Sequence, residues 1–304
     1  MSTTPHARGH LATEQIHPES ARFDTLSIAE AVALIQREDE RIHAALAAAR
    51  ADLARAIELV VTRLRVGGRL FYVGAGTSGR LGLLDAVECP PTFQTDPSLV
   101  QAVLAGGTAA VTGAVEGAED SATAAGEELA RRGLCERDIV FGIAAGGTTP
   151  YVHGAIDFAR SRGAATVFLS CVPREQVPDR ADVSVRIVTG PEVLAGSTRL
   201  KAGTVTKLAL NAVTTIAMAQ LGKVHGNLMV DVDTSKNIKL VERGARIVST
   251  LTGASRDEAL QLLRDAGGQV KVAVVMHQRR MTREAALAAL DRAGGRLRRA
   301  LEES

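Results

Sequence analysis

Two glycine-rich segments that carry hydroxyl side chains have the composition of a phosphate-binding site. Each follows a predicted strand and opens a predicted helix. Glycine lets the backbone approach a ligand closely, and the free N–H groups at a helix start attract an anion. The candidate binding residues are Gly76, Thr77 and Ser78 in the first segment (74–80), and Gly146, Gly147, Thr148 and Thr149 in the second segment (144–150).

Other interpretations of both segments stay open. The first could be an ordinary strand-to-helix turn, and in the second Thr148 or Thr149 could simply cap the helix. The first also matches G-x-G-x-x-G, the dinucleotide fingerprint of nicotinamide oxidoreductases. Such a site requires a carboxylate at the end of the second strand to hold the ribose, and residues 104–107 contain none. A single phosphate monoester therefore fits the hydroxyls better than a dinucleotide.

A third segment (196–204) places two cations and several hydroxyls at the start of another predicted helix. Cations are unfavourable at a helix N-terminus. The segment therefore indicates an anion at this position, with Ser197 and Lys201 as candidate binding residues. A plain cap by Ser197 or Thr198 is the simpler alternative.

Two groups of carboxylates could perform acid–base chemistry. Glu88 stands two residues before a double proline. Because Pro90 disfavours helical geometry in Cys89, the residue before it, we expect Glu88 at a helix end. Glu116 and Glu119 stand in an Ala-rich stretch, 109–131, that predicts a helix with both carboxylates on one face. No histidine accompanies them, so we expect no metal site, and a solvated acidic face is the simplest interpretation.

Strands and helices alternate along the chain up to Asp231, a pattern typical of βαβ units with a parallel sheet. Beyond Asp231 the pattern predicts helices alone, separated by glycines. We expect a flexible N-terminal arm over 1–25, an α/β domain over 26–235 and a small all-helical C-terminal subdomain over 236–304. The five predicted strands are 69–73, 99–104, 138–145, 165–171 and 183–188, and the predicted C-terminal helices are 236–250, 255–266, 269–279, 282–293 and 295–302.

The composition restricts the class of protein. A net charge of +2, from 36 basic and 34 acidic residues, gives no electrostatic basis for a nucleic-acid partner or a membrane surface. No apolar run approaches the ~20 residues that span a bilayer, and no secretory signal is visible. Cys89, Cys135 and Cys171 are far apart, which argues against a structural zinc site and fits a reducing compartment. We expect a cytoplasmic protein.

The motifs together resemble those of N-acetylmuramic acid 6-phosphate etherases. The resemblance covers roughly residues 12–302. It rests on the runs Gly74 to Thr92, Val115 to Asp120, Gly196 to Thr204 and Gly226 to Asp231, and on the pairs Thr13-Glu14 and Glu38-Asp39.

The resemblance implies a sugar-isomerase (SIS) domain, with a parallel five-stranded sheet flanked by helices, in a homodimer without a metal or organic cofactor. It implies cleavage of the D-lactyl ether at carbon 3 of a phosphorylated amino sugar, which gives N-acetylglucosamine 6-phosphate and D-lactate. The catalytic glutamates of the family correspond to Glu88 and Glu119, with Glu116 as a competitor for the second. Following the family, we expect Glu88 to be a buried general acid that keeps its proton, and Glu119 to be the base.

The second segment departs from the family pattern Ala-Ala-Ser-Gly-Arg-Thr-Pro. Gly146 and Thr148 stand at the Ser and Arg positions, so we expect Thr148, Thr149 and the loop amides to hold the substrate there. Two other functions are open on the same fold. One is a non-catalytic sugar-phosphate sensor of the glucokinase-regulatory type, whose members carry two SIS domains where this chain has one. The other is an aldose–ketose isomerase that acts on sugar phosphates.

Overall fold

The computed structural model describes residues 8–232, 234 and 238–302. Its helices are α1 (Ile28–Ala48), α2 (Arg50–Arg65), α3 (Gly76–Phe93), α4 (Ala109–Thr112), α5 (Ala124–Arg131), α6 (Pro150–Ser161), α7 (Lys201–Gln220), α8 (Ile238–Thr252), α9 (Arg256–Asp265), α10 (Val270–Arg279), α11 (Arg283–Arg292) and α12 (Leu297–Glu302). Its strands are β1 (Leu70–Gly74), β2 (Val100–Leu104), β3 (Ile139–Ile143), β4 (Ala165–Ser170), β5 (Val183–Arg186), β6 (Val224–His225) and β7 (Leu228–Met229).

Strands β1 to β5 form one parallel sheet in the order β2-β1-β3-β4-β5. Gly74 at the end of β1 pairs with both Leu104 and Ile143, the last residues of the neighbouring strands. The segments that follow these strands therefore leave the sheet at one edge, which is where open α/β sheets bind ligands. The predicted α/β class and all five predicted strands are confirmed.

The chain divides into two compact units. The first comprises Met1–Ala86 and Ser98–Val213, and the second Val87–Pro97 and Thr214–Ser304. In the first unit, Phe71, Val140 and Phe168 of the sheet are completely buried. Such near-continuous apolar strands are what a parallel sheet covered on both faces requires.

The second unit is mainly helical, and its core is built from small aliphatic side chains such as Val248, Ala273 and Ala286. The five predicted C-terminal helices are confirmed over the described residues; positions 236 and 237 of the first one lie outside them. Ser255 caps α9 by accepting the N–H of Glu258, and the Glu258 carboxylate in turn accepts the N–H of Ser255. Within the described ranges, no helix is both long and apolar enough to cross a membrane.

A buried network holds α3 and α7 on the sheet of the first unit. The Tyr72 hydroxyl donates to Asp85 over 2.9 Å, and the Asn211 amide donates to the same carboxylate over 2.7 Å. Because Asp85 is 5% exposed, these bonds form in a low-dielectric interior and orient both helices strongly.

The predicted helix 109–131 is wrong. The chain forms only the single turn of α4, then an irregular stretch, a 3-10 turn over Ala118–Asp120 and finally α5. The stretch includes Gly117 at a φ of 70°, a left-handed conformation that interrupts a helix. Glu116 and Glu119 therefore do not share a helical face.

The predicted helix end at Glu88 is also wrong, because α3 continues through Pro90 and Pro91 to Phe93. Proline fixes φ near the helical value but provides no N–H, so the carbonyls of residues 86 and 87 lose their helical partners. Glu88 lies inside a helix with weakened backbone hydrogen bonding.

Candidate functional site

The three glycines of the first segment have different physical roles. A Cβ on Gly74 would lie 2.7 Å from the Gly79 nitrogen, and one on Gly79 would lie 2.6 Å from the Gly74 oxygen. These two glycines allow the start of α3 to pack closely against the end of β1. Gly76, by contrast, is exposed and has a φ of 52°, and a Cβ on it would have no described atom within 4 Å apart from its chain neighbours. Only Gly76 leaves open space for a ligand.

The start of α3 provides hydrogen-bond donors for a ligand. Within the described chain, the N–H groups of Gly76, Thr77 and Ser78 have no hydrogen-bond partner, as is usual in the first turn of a helix. Thr77 and Ser78 are half-buried, and the methyl group of Thr77 lies 3.5 Å from where a Cβ on Gly203 would be. The first segment thus lies beside the start of α7.

The second segment forms a turn before α6. The Gly147 N–H donates to Ala144 over 2.9 Å, and the His153 ring lies 2.7 Å from the Gly147 carbonyl. Thr149 is the N-cap of α6, but its hydroxyl makes no capping bond. The hydroxyls of Thr148 and Thr149, both half-buried, have no partner among the described residues. The simple capping interpretation fails here, which leaves these hydroxyls available to a ligand.

At the third segment, the anion is a carboxylate of the protein itself. The Glu192 carboxylate accepts the N–H groups of Lys201 over 3.1 Å and Ala202 over 2.9 Å, at the start of α7. Burial raises the pKa of Glu192, and the two backbone N–H groups partly offset that effect. The sequence indicated a ligand anion at this helix start, whereas the structure places there the carboxylate of Glu192, nine residues before Lys201.

Lys201 forms an internal ion pair. Its ammonium lies 2.5 Å from Glu38, and both side chains are 2% exposed. His17 also lies 3.0 Å from the Glu38 carboxylate. In the pKa of Glu38, burial works upward, but the Lys201 hydrogen bond and the Lys201, His17 and Arg41 charges outweigh it and keep the pKa low. Ser197, half-buried in the same segment, remains accessible.

Part of the predicted flexible arm packs against the second and third segments. Residues 1–7 of the arm lie outside the described ones. We call residues 11–17 the strap. Within it Leu11, Thr13 and His17 are at most 3% exposed. The Thr13 carbonyl accepts the Gly196 N–H over 3.2 Å. The packing joins residues more than a hundred positions apart, so no local sequence pattern indicated it.

The acidic stretch lines a separate cavity of about 160 Å³ in the first unit. Glu116 and Glu119, both exposed, line it together with Gly76 and Arg80. The Arg80 guanidinium donates to the carbonyls of Ala110, Val111 and Gly113, so it holds the chain that leads to the two glutamates. The structure therefore brings Glu119 to the same cavity as Gly76 of the first segment.

Glu88 belongs to the second unit and is exposed. Among the described residues, Glu88 therefore lacks the burial that we expected of a general acid. Nor do the described residues contain a group of three or more His, Cys, Asp or Glu side chains that could hold a metal ion.

Two comparisons with known proteins cover part of the chain. The family model described as the glucokinase regulatory protein N-terminal SIS domain matches residues 52–160. A solved phosphoheptose isomerase from Francisella tularensis superposes with a TM-score of 0.49 at 15% identity, over 64% of this chain and 100% of that chain.

Similarity to curated relatives extends over almost the whole chain. An N-acetylmuramic acid 6-phosphate etherase from Gloeobacter violaceus is 57% identical over 296 residues, which are 97% of this chain and 96% of the relative. One from Synechocystis is 55% identical over 295 residues, with the same two shares of 97% and 96%. The chain belongs to the N-acetylmuramic acid 6-phosphate etherase family.

Proposed function

We propose that this protein cleaves the D-lactyl ether of N-acetylmuramic acid 6-phosphate to give N-acetylglucosamine 6-phosphate and D-lactate. The observation that carries the proposal is the 57% identity with an etherase over 97% of the chain. The first and second segments support it, because they offer amides and hydroxyls to a phosphorylated sugar.

The chemistry must overcome a poor leaving group, because an alkoxide is very basic. When the sugar ring opens, the aldehyde at carbon 1 acidifies the proton on carbon 2. A base removes that proton, a double bond forms between carbons 2 and 3, and the carbon 3–oxygen bond breaks as an acid protonates the departing lactate. Water then adds its oxygen to carbon 3 while a proton returns to carbon 2.

Glu119 is the proposed base, since it lines a cavity together with Gly76 of the first segment. Glu88 is the proposed acid, by correspondence with the family. Two carboxylates in different environments can divide the acid and base roles. Leu84 and Val87, beside Glu88 on α3, are 48% and 54% exposed, so a second copy that covers them would also provide the burial that Glu88 lacks.

The phosphate is proposed to lie at the starts of α3 and α6, which the first and second segments form. Thr77, Ser78, Thr148 and Thr149 provide hydroxyls there, and Gly76, Gly146 and Gly147 let the ligand approach the backbone. Ser197 is kept as a substrate contact. Lys201 is given a supporting role, because its ammonium already pairs with Glu38.

The proposal also includes the cellular compartment, the pathway and the oligomeric state. No disulfide joins the three cysteines within the described residues, which fits a reducing cytoplasm. The substrate is a bacterial cell-wall sugar, which fits peptidoglycan recycling. A homodimer is proposed on the exposed apolar side chains of α3, and light scattering on the purified protein tests it.

Release of D-lactate from the phosphorylated substrate, followed with a D-lactate dehydrogenase, tests the activity. In water labelled with heavy oxygen, the label should enter the amino sugar and leave the lactate unlabelled, because water attacks carbon 3. Label in the lactate would exclude the elimination route. Glu88→Gln should lower the rate about 10²- to 10⁴-fold while substrate still binds, and normal lactate release by this variant would remove Glu88 from the mechanism.

The family match over residues 52–160 favours one second candidate, a sugar-phosphate-binding regulator of the glucokinase-regulatory type. A regulator of this kind would bind N-acetylglucosamine 6-phosphate without releasing lactate from the ether. The same lactate assay, run beside a binding titration, separates the two functions.

A further inference from the structure

We infer that Glu14 is a substrate-binding residue whose carboxylate accepts hydrogen bonds from N–H or O–H donors of the sugar. The inference deepens the proposed function by giving the bound sugar phosphate a direction: phosphate at the first and second segments, sugar donors at the third.

The strap holds Glu14 in place from both sides. The Ala12 N–H donates to the Gln176 side chain over 3.0 Å, and Leu11 packs against Val172 and Val177. On the other side, His17 lies 3.0 Å from the Glu38 carboxylate. A residue between two such anchors loses little conformational freedom when a ligand binds, which favours a binding role.

Glu14 lies directly against the third segment. Its Oε2 atom is 3.0 Å from where a Cβ on Gly196 would be, and Gly196 has a φ of 75°. A larger residue at position 196 would be strained and would also displace the carboxylate. Glu14 itself is half-buried, and across the described ranges its carboxylate pairs with no cation. A fixed, partly dehydrated carboxylate of this kind is a strong hydrogen-bond acceptor without a donor.

Thr13 provides an independent observation on the same strap. It is 0% exposed, and its hydroxyl has no hydrogen-bond partner in the described part of the molecule. That hydroxyl lies 3.6 Å from the position that a Cβ on Gly146 would take. Unpaired buried hydroxyls are rare and costly. The strap thus presents two unsatisfied polar groups, the Thr13 hydroxyl to the second segment and the Glu14 carboxylate to the third.

The charges around the third segment decide which part of the substrate fits there. Glu192 occupies the start of α7, and the ammonium of Lys201 is already paired with Glu38. A phosphate dianion beside Glu14 would meet like charge in a partly buried site, which is unfavourable. Hydroxyl and amide N–H groups would instead find a free acceptor.

Binding titrations of the full-length protein test the inference with three ligands: N-acetylglucosamine 6-phosphate, glucose 6-phosphate and inorganic phosphate. Glu14→Ala should weaken binding of the amino sugar phosphate roughly 10- to 100-fold, the range for hydrogen bonds to a charged group, and Glu14→Gln should weaken it less. Affinity for inorganic phosphate should not fall in either variant. An equal loss for inorganic phosphate, or no loss for the amino sugar phosphate, would overturn the inference.

The second sugar identifies the donor. If Glu14→Ala weakens the amino sugar phosphate but leaves glucose 6-phosphate unchanged, the donor is the acetamido N–H; equal losses identify a ring hydroxyl. Glu19→Gln is the matched control, because Glu19 is 56% exposed on the same arm, and thermal unfolding confirms that each variant is folded. Failure of the wild-type protein to bind any sugar phosphate would count against the proposed function itself, whereas unchanged binding of the amino sugar phosphate by Glu14→Ala counts only against this inference.

Discussion

The two ends of the parallel sheet use their polar groups differently. At the amino end, the buried Asp138 carboxylate accepts bonds from the Arg69 guanidinium and from the backbone N–H groups of Arg69 and Cys135. At the carboxyl end, the hydroxyls of Thr148 and Thr149 have no partner among the residues that the structure describes. The amino end thus satisfies its polar groups internally, while the carboxyl end keeps donors and acceptors available.

This difference separates stability from activity. Removing a group that pairs inside the protein leaves a buried partner unsatisfied, which lowers the free energy of unfolding. Removing a group that is available to a ligand and makes no bond within the protein changes the free energies of the folded and unfolded states about equally. Substitutions at the amino end should therefore affect stability, and those at the carboxyl end should affect catalysis or affinity.

The largest expected effect is on catalysis. Glu119→Gln should lower the rate of lactate release about 10²- to 10⁴-fold, because a general base is lost, while the melting temperature stays the same because Glu119 is exposed. Glu116→Gln is the matched control in the same cavity and should retain nearly full activity. If Glu116→Gln is the inactive variant instead, the base assignment moves to Glu116.

Asp138→Ala should show the opposite pattern at the amino end. It breaks a buried pair with Arg69, in which Asp138 is 1% exposed, and should lower the free energy of unfolding by about 3 kcal/mol. Urea denaturation measures that loss, and lactate release at low temperature should be unchanged. Asp157→Ala is the control, because its pair with Arg180 is exposed and should contribute little.

Glu192→Ala tests whether location or pairing decides the outcome. Glu192 lies at the carboxyl end, but its carboxylate already accepts two backbone N–H groups of α7. The variant should lose about 2 kcal/mol of unfolding free energy, since two buried donors are left unsatisfied. Glu192→Gln keeps an acceptor and should lose less. Normal stability of Glu192→Ala would contradict the structural role.

The pH dependence of stability should also reflect the amino end. For Asp138, burial works to raise the pKa, but the hydrogen bonds from Arg69 and Cys135 outweigh it and hold the pKa below the ordinary 3.8. The folded state therefore stays ionised while the unfolded state takes up a proton, so this stabilisation is present above about pH 4 and is lost as the pH falls further. The difference in unfolding free energy between wild type and Asp138→Asn should shrink between pH 5 and pH 3, and a constant difference would exclude ionisation as its source.

Sequence patterns predicted the sheet and the C-terminal helices because periodicity and glycine punctuation act locally. They failed at 109–131, where high Ala content suggested a helix but Gly117 takes a left-handed conformation. They also failed at Pro90, where the helix continues despite the lost N–H. At Gly117 a single backbone position outweighed the helical propensity of its neighbours, whereas at Pro90 the surrounding helix outweighed the single proline.

The candidate site was predictable only in part, because sequence patterns are local and many of its contacts are not. Hydroxyls and glycines after strands are visible in the sequence, and these identified the first and second segments. Contacts that arise from the folding of loops and from tertiary packing are not visible, which is why Glu192, Glu38 and the strap escaped prediction. The ion pair of Lys201 with Glu38 joins positions 163 residues apart, and it changes the expected role of Lys201 from ligand contact to support.

The smallest effect gives the sharpest comparison, because two threonines hold the same helical position with different bonding. Thr282 caps α11 by accepting the Ala285 N–H, whereas the N-cap Thr149 of α6 makes no side-chain capping bond. Thr282→Val should therefore lower the unfolding free energy by about 1 kcal/mol and leave affinity unchanged. Thr149→Val should leave stability unchanged and weaken binding of N-acetylglucosamine 6-phosphate about tenfold, the loss expected for one hydrogen bond to a charged phosphate. A loss of stability without a loss of affinity in Thr149→Val would mean that this hydroxyl serves the helix after all, and the distinction between the two ends of the sheet would not extend to α6.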